Sequence, residues 1–171
     1  NAATVTYLDG TFDILGVPVL YLPFFQHPDP SVKRKSGFLI PTYTSSDDLG
    51  FGIEVPYYFA LAPNYDFTFH PMYAARQGVI WKGHWRHRLV FGSIRGQYNL
   101  KISGINQDAD DLPNNDQRLD GWRGSLETKG EFSLASWWKF GWNAIVESDD
   151  TYRRFYKFDN VLQTDRVNTA Y

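Results

Sequence analysis

Hydrophobic and polar residues alternate along most of the chain from residue 38 onwards. In the stretch 94–104, one set of alternate positions holds apolar residues, tyrosine and glycine, and the other set is polar throughout. The stretches 65–73, 79–91 and 122–134 repeat this period of two. Such a period places successive side chains on opposite faces of a β-strand. The pattern therefore predicts a sheet with one apolar face and one charged face.

The predicted strands are long, at about 10 to 13 residues, whereas strands of soluble proteins average roughly 5 to 6. At ~3.3 Å per residue and a tilt of ~45°, such strands cross a hydrocarbon layer of ~25 Å. The polar face carries full charges, and the apolar face ends in Trp, Tyr and Phe. This combination is typical of a transmembrane β-barrel. A soluble antiparallel sheet with one wet face produces the same alternation and remains the alternative.

The connections between the predicted strands differ in length. "TSSDDLG" and "ARQG" are short, whereas residues 106–121, "NQDADDLPNNDQRLDG", are long, acidic and rich in turn formers. One long loop among tight turns fits a barrel with short periplasmic turns and longer outer loops. Residues 147–160, "ESDDTYRRFYKFDN", are predicted to form another polar connection that includes the start of a strand.

The first 35 residues have a different composition. Residues 14–25 are densely apolar and are interrupted by Pro18 and Pro23, and the link "HPDPSVKRKSG" follows. We predict that residues 1–26 end a separate β domain and that residues 27–36 form a junction. The chain starts inside a predicted strand and ends without a stop signal, so we expect it to be a piece of a longer protein.

Composition and spacing exclude several kinds of site. The net charge of −2 provides no field that points to nucleic acid, and the absence of cysteine excludes disulfides and thiolate metal sites within this chain. The aspartates of residues 106–121 lack the spacing of a calcium-binding EF-hand. His84 and His87 lie three apart on a strand and therefore on opposite faces. We predict no catalytic residues, no metal and no cofactor.

Two prolines lie where the alternation predicts strand interiors, Pro41 in "GFLIPTY" and Pro56 in "IEVPYY". Proline has no N–H to donate to a sheet and is normally confined to strand ends, edges and bulges. The bland interpretation is that each proline marks a bulge, or places its missing donor where no acceptor was available. The residues alone leave open whether the two prolines have a function.

Several ordered motifs resemble the outer-membrane lipopolysaccharide-assembly proteins, also called organic solvent tolerance proteins. They are "LPFF", "RKSGFLIP", "PYYFALAPNYD" and the later "SDDTY". The resemblance covers residues 14–75 closely and residues 119–171 more loosely. It implies an all-β protein in which a periplasmic jellyroll precedes a very large antiparallel barrel. Residues 1–26 would then be the last jellyroll strands, and residues 37–171 the first seven or eight barrel strands.

The resemblance also implies a function and partners. Family members move lipopolysaccharide through the jellyroll and out sideways, through a seam between the first and last barrel strands. A plug lipoprotein (LptE-like) fills the barrel, and periplasmic bridge proteins deliver the lipid to the jellyroll. The protein would be a transporter in the outer membrane of a Gram-negative bacterium, with its N-terminal part periplasmic. It would not be an enzyme.

Candidate site residues follow from the resemblance and the charge pattern. Pro41 and Pro56 match the lateral-gate prolines of the family. The candidate lipid path at the jellyroll exit consists of Val17, Val19, Tyr21 and Phe24. Candidate contacts for phosphate or sugar are Lys33, Arg34 and Lys35 at the junction and Lys82, Arg86 and Arg88 on the charged face. The respective alternatives are ordinary jellyroll core, a solvated linker, and ion pairs with facing carboxylates or with the plug.

The runner-up hypothesis is a soluble β-sandwich that binds glycans on exposed Trp and Tyr side chains. Such a sandwich should have shorter strands, and its polar outer face should lack a belt of aromatic residues at the strand ends. A generic porin is a weaker alternative, because the preceding apolar domain and the paired proline-containing strands are unusual for a porin.

Overall fold

The computed structural model describes residues 4–14, 17–28, 34–108, 121–135, 137–156, 158 and 166–170. The described residues are almost entirely antiparallel β-strands with one short helix, which confirms the all-β prediction. They fall into two compact units, residues 1–37 and residues 38–171. Among the described residues, the only helix is far too short to cross a bilayer.

The first unit contains one antiparallel pair of strands, β1 (Thr4–Ile14) and β2 (Val17–Pro28). The register runs from Thr4 opposite Pro28 to Ile14 opposite Val17, and it shifts between Phe12 and Asp13. Tyr21 bonds across this pair, because its hydroxyl donates to Asp9 Oδ1 at 2.6 Å.

The second sheet has eleven described strands. Their bounds are β3 (Gly37–Phe38), β4 (Thr42–Ser46), β5 (Gly50–Glu54), β6 (Tyr57–Ala62), β7 (Tyr65–Phe69), β8 (Met72–Ala74), β9 (Gly78–Phe91), β10 (Ile94–Gln107), β11 (Gly121–Ala135), β12 (Trp138–Glu147) and β13 (Arg166–Ala170). The strands β13, β12, β11, β10, β9, β7, β6 and β3 are neighbours in that order. A side branch of β4, β5 and β8 joins the same sheet through β9.

The long strands β9, β10 and β11 follow the predicted alternation closely. They contain 14, 14 and 15 residues. Their register places Lys101 between His84 on β9 and Glu127 on β11, so the charged positions form rows across one face of the sheet. Apolar positions form rows on the opposite face, such as Ile102 between Gly83 and Leu126. The strand prediction is therefore confirmed in this region.

The strands that precede β9 are interrupted, and here the predicted continuous strands are wrong. β3 and β4 are separated at residues 39–41, β5 and β6 at Val55 and Pro56, and β7 and β8 at His70 and Pro71. Each gap contains a proline, which cannot donate to the ladder. If each interrupted pair is counted as one strand, the described residues of the second sheet form eight strands.

A buried cluster covers one end of the charged face. It includes Leu49, Met72, Ala74, Ile80, Ile105, Tyr152 and Tyr156. Tyr152 belongs to the helix α1 (Tyr152–Phe155), where the sequence predicted the start of a strand. That prediction is wrong, because Tyr152, Phe155 and Tyr156 recur at the spacing of three and four that places side chains on one helix face.

Candidate functional site

Three prolines lie at the same level of three neighbouring interrupted strands. Pro41 precedes β4, Pro56 precedes β6 and Pro71 precedes β8. If the register is continued past each break, Pro41 and Pro71 lie on either side of Val55. We call Pro41, Pro56 and Pro71 the proline line. Only Pro41 and Pro56 were singled out from the sequence, although neighbouring members of the line are separated by a constant interval of 15 residues.

Backbone hydrogen bonds still bridge the proline line. They join Leu39 N to Pro56 O at 2.9 Å, Val55 N to Pro71 O at 3.2 Å and His70 N to Lys82 O at 2.8 Å. Pro56 and Pro71 thus contribute their carbonyls as acceptors, but neither has an N–H to return a bond. Each missing ladder bond is worth ~0.5–1.5 kcal/mol net. The ladder is therefore weakened at one level across neighbouring strands.

An ionic cluster lies beside the proline line. Glu54 Oε1 is 2.9 Å from His70 Nδ1, and the Lys82 ammonium pairs with the other oxygen of Glu54. The side chains are half-buried. Lys82 also lies 5.8 Å from the centre of the Phe158 ring. Lys82, a candidate phosphate contact, is thus engaged by a facing carboxylate. Glu54 and His70 were not among the residues predicted from the sequence.

Arg86 is paired in the same manner. Its Nε lies 2.6 Å from Asp66 Oδ1, and its guanidinium is 5.8 Å from the centre of the Tyr58 ring. Arg88 lies two residues further along β9 and is exposed. The three candidate cations of β9 therefore differ, because Lys82 and Arg86 face carboxylates and Arg88 lies in an open cleft at the other end of the strand.

A segment between β12 and β13 folds over the charged face. We call residues 147–156 with Phe158 the strap. Arg123 of β11 holds the strap by donating two hydrogen bonds to the carboxylate of Asp149, at 3.0 and 2.7 Å. Arg123 Nη2 also donates to Thr151 Oγ1 at 2.8 Å. The Arg123 side chain is only 3% exposed, so this ion pair is well shielded from water.

A second ion pair, Arg153 with Glu127, anchors the strap further along β11. Arg153 Nη2 donates to Glu127 Oε2 at 2.9 Å, and its Nη1 donates to Ser125 Oγ at 3.1 Å. Lys101 Nζ reaches the other oxygen of Glu127 at 3.1 Å. One buried carboxylate is therefore shared by a cation of the strap and a cation of the sheet.

The Asp149 carboxyl has a strongly perturbed pKa. Burial alone would raise the pKa of Asp149, but hydrogen bonds from Arg123, Thr151 and Ser148 outweigh it. They hold the pKa of Asp149 well below its ordinary value of 3.8. Burial raises the pKa of the neighbouring Tyr152 hydroxyl. The strap is therefore held by a carboxylate that stays ionised at all but strongly acidic pH.

The candidate residues of the lipid path and of the junction lie before the start of the second unit. Tyr21 is exposed and is bonded to Asp9. Val17 pairs with Ile14 and Phe24 with Leu8, whereas Val19 falls at the register shift of β2. Their side chains lie outside the described residues, as does all of Lys33. Arg34 is exposed and Lys35 is half-buried.

No group of three His, Asp or Glu side chains close enough to hold an ion occurs among the described residues. Asp108 is exposed, and the other aspartates of the predicted acidic loop, Asp110, Asp111 and Asp116, lie outside the described residues.

Comparison with known proteins identifies similar chains. A family model described as LptD protein matches residues 10–120. The LPS-assembly protein LptD of Idiomarina loihiensis is 47% identical over 93 residues, which cover 54% of this chain and 12% of that protein. The proteins of the same name from Pseudomonas entomophila and Pseudomonas putida are 36% and 37% identical over 70% of this chain. The matched region spans 12% of the length of each of these three curated relatives.

Proposed function

Because the chain belongs to the LptD protein family, we propose that it is part of an outer-membrane protein that assembles lipopolysaccharide. In this proposal residues 1–26 are the last strands of a periplasmic β-jellyroll, and residues 27–36 are the junction. Residues 37–171 are the first strands of a large transmembrane β-barrel. The relatives are named for LPS assembly, and the geometry of the second sheet supports the same role.

The observation that carries the proposal is the inverted distribution of polar and apolar side chains. Large apolar side chains on one face are exposed, among them Trp81, Ile102, Trp122, Leu126 and Val146. On the other face, Glu127 and Arg123 are 8% and 4% exposed. A soluble protein normally exposes its charges and covers so large an apolar surface. The arrangement fits a sheet with lipid on its apolar face and a partly filled lumen on its charged face.

The proline line supports a lateral opening at the first strands. A closed barrel has no free edge, so a lipid can leave sideways only where strand pairing is weak. Pro41 and Pro56 each remove a ladder donor near the first strand, and the aligned Pro71 adds a third. We assign the gate to Pro41 and Pro56, with lipopolysaccharide passing from the jellyroll into the barrel and out through this weakened region.

The proposal extends to the lipid path and the partners. Lipid acyl chains would pass Val17, Val19, Tyr21 and Phe24 at the jellyroll exit. Lipopolysaccharide would be delivered by periplasmic bridge proteins, and an LptE-like plug lipoprotein would occupy the lumen. The protein would reside in the outer membrane with its N-terminal part in the periplasm, and it would act as a transporter rather than an enzyme.

Replacement of the gate prolines in the full-length protein tests the proposal. Pro41→Ala with Pro56→Ala restores two backbone donors, each worth ~0.5–1.5 kcal/mol, and should strengthen the pairing of the first strands. We expect slower delivery of lipopolysaccharide to the cell surface, measured by surface labelling after a pulse of newly made lipid. The amount of the variant in the outer membrane should equal that of the unmodified protein.

Pro63→Ala is the matched control, because Pro63 is exposed in the tight turn between β6 and β7, away from the proline line. This control should deliver lipid at the normal rate. Normal delivery by the double variant, at an equal amount in the membrane, would contradict the gate assignment.

A further inference from the structure

An open cleft of about 430 Å³ lies on the charged face, at the end opposite the strap. Cationic and polar side chains of its lining belong to two adjacent rows. Arg88 is opposite Gln97, which is opposite Glu131, and in the next row Arg95 is opposite Ser133, which is opposite Lys139. We call Arg88, Arg95 and Lys139 the turn-end patch, because the two-residue connections from β9 to β10 and from β11 to β12 lie nearby.

The turn-end patch differs from the rest of the charged face in its charge balance. Towards the strap, cations of the sheet face carboxylates, as in Lys82 with Glu54, Arg86 with Asp66 and Lys101 with Glu127. Among the described residues, no carboxylate lies within 4 Å of the charged atoms of Arg88, Arg95 or Lys139.

Glu131 is the one carboxylate in the cleft lining. Three cations therefore surround one carboxylate, and the cleft has an excess of positive charge. The side chains of Arg88, Arg95 and Lys139 are exposed and able to reach a ligand.

The spacing of the patch suits a phosphate group. Diagonal neighbours on adjacent strands are about 7–8 Å apart at their backbones, a gap that arginine and lysine side chains can close around one anion. Arg88 and Arg95 occupy such diagonal positions. Arginine guanidinium groups bind phosphate through paired hydrogen bonds, and lysine adds a compact charge. A flat positive surface would attract any anion, whereas a cleft also limits its size and direction of approach.

We propose that the turn-end patch binds the phosphate groups of a phosphorylated glycolipid as the lipid enters the charged face of the sheet. The inference rests on the proposed transport function. β3 and β4 run away from the end that holds the patch, so the chain enters the second sheet from that end. In the proposed orientation this is the periplasmic end, where lipid arriving from the jellyroll would first meet the barrel.

The test compares two lipids on the full-length protein in detergent. The variant Arg95→Gln with Lys139→Gln removes two patch cations, and binding is measured with intact lipopolysaccharide and with lipopolysaccharide stripped of its phosphates. Each replaced cation loses its charge-assisted hydrogen bonds to the phosphate oxygens. We expect the variant to bind the intact lipid at least about tenfold more weakly than the unmodified protein does. The two proteins should bind the stripped lipid with equal affinity.

A charge-matched control is available at the other end of the sheet. Arg76→Gln with Arg154→Gln also removes two exposed cations and should leave both affinities unchanged. Inorganic phosphate at millimolar concentration is added in a separate arm, and it should not displace the intact lipid. Complete displacement would identify a site for free phosphate and would overturn the glycolipid assignment.

The remaining outcomes separate this inference from the proposed function. Equal weakening for both lipids, or no weakening, overturns the phosphate assignment while the transport proposal stands. Loss of a copurifying plug lipoprotein from the variant would assign the patch to the plug and overturn the inference. An unmodified full-length protein that binds neither lipid would contradict the proposed function, and the inference with it.

Discussion

Two glycines on the apolar face lie directly under aromatic rings of the next strand. The Gly130 backbone is covered by Trp142, and an added Cβ would overlap the Trp142 ring. Gly96 is covered by Phe132 in the same manner. The Trp142 ring is oriented by a hydrogen bond from its Nε1 to Thr128 Oγ1 at 3.0 Å. Glycine at these positions therefore allows aromatic side chains to lie flat across the strand pair.

Gly130→Ala should destabilise the full-length protein, because the new methyl group displaces the Trp142 ring. Overpacking of this kind costs about 1–3 kcal/mol, and we expect a lower midpoint of thermal unfolding in detergent. Gly104→Ala is the control, since its Cβ would meet no atom closer than 3.5 Å. Equal midpoints for the two variants would show that the Trp142 ring does not depend on the glycine.

At the candidate site, the residue types stood out in the sequence but their partners did not. Pro41, Pro56 and the cations of β9 were singled out as candidates because proline and charge stand out against an alternating pattern. Glu54, the partner of Lys82, was missed because the pairing joins residues 28 apart and depends on the register of strands interrupted by prolines. A pattern that repeats every two residues fixes the face on which a residue lies, but it does not fix which same-face residue of a distant strand lies opposite.

At the scale of elements, the strap is the part of the structure that the alternation did not predict. Its helix is a single turn, and isolated turns are unstable in water. Its stability must come from contacts with the sheet, chiefly the pairs Arg123–Asp149 and Arg153–Glu127 and the burial of Tyr152. Predicting such a turn requires knowledge of the surface that it covers, which a local pattern does not provide.

Asp149→Ala should release the strap from the sheet. Loss of one partner from a buried ion pair costs about 3–5 kcal/mol, and the nearby Arg154 would then become a better site for trypsin. We expect faster tryptic cleavage of the full-length protein at this position. Asp150→Ala, at the exposed neighbour, should leave the rate unchanged. Equal cleavage of both variants would mean that Asp149 does not hold the strap.

Acidification should weaken the attachment of the strap to the sheet, as Asp149→Ala does. The folded-state pKa of Asp149 is depressed, so its stabilising effect is present above the ordinary pKa of 3.8 and decreases as the pH falls below that value. We expect the protection of strap amides from hydrogen exchange, relative to the intrinsic exchange rate at the same pH, to fall progressively below pH 3.8, and the Asp149→Ala variant to show a smaller change. An identical pH response in the variant would exclude Asp149 as the titrating group.

At the scale of the whole molecule, apolar and charged side chains lie on opposite faces of the second sheet over the long strands β9, β10 and β11, away from the strap. The sequence predicted this separation because a period of two is a property of the strand itself. The sequence did not predict that the strap would cover one end of the charged face. Ile80 and Ile105 lie at charged-face positions there and are buried in one cluster with Tyr152 of the strap.

Cysteine labelling of the full-length protein in membranes tests the orientation of the faces. Leu126→Cys and Lys129→Cys lie three residues apart on β11, and both positions are exposed in the structure. If lipid covers the apolar face, a water-soluble maleimide should label Lys129→Cys at least tenfold faster than Leu126→Cys, while both react with a membrane-permeant reagent. Rapid labelling of both by the water-soluble reagent would place water on both faces.

The proline line divides the three interrupted strands of the second sheet into two groups of short strands, which we call leaves. Both leaves pair with β9. The leaf of β4, β5 and β8 attaches to β9 near Gly78, and the leaf of β3, β6 and β7 attaches nearer its other end. In the proposed gate, the interruption of the ladder at the proline line would let one leaf separate from its neighbour while the ladder of the other stays closed. The height of the proposed aperture would then be set by one leaf and not by the full length of a strand.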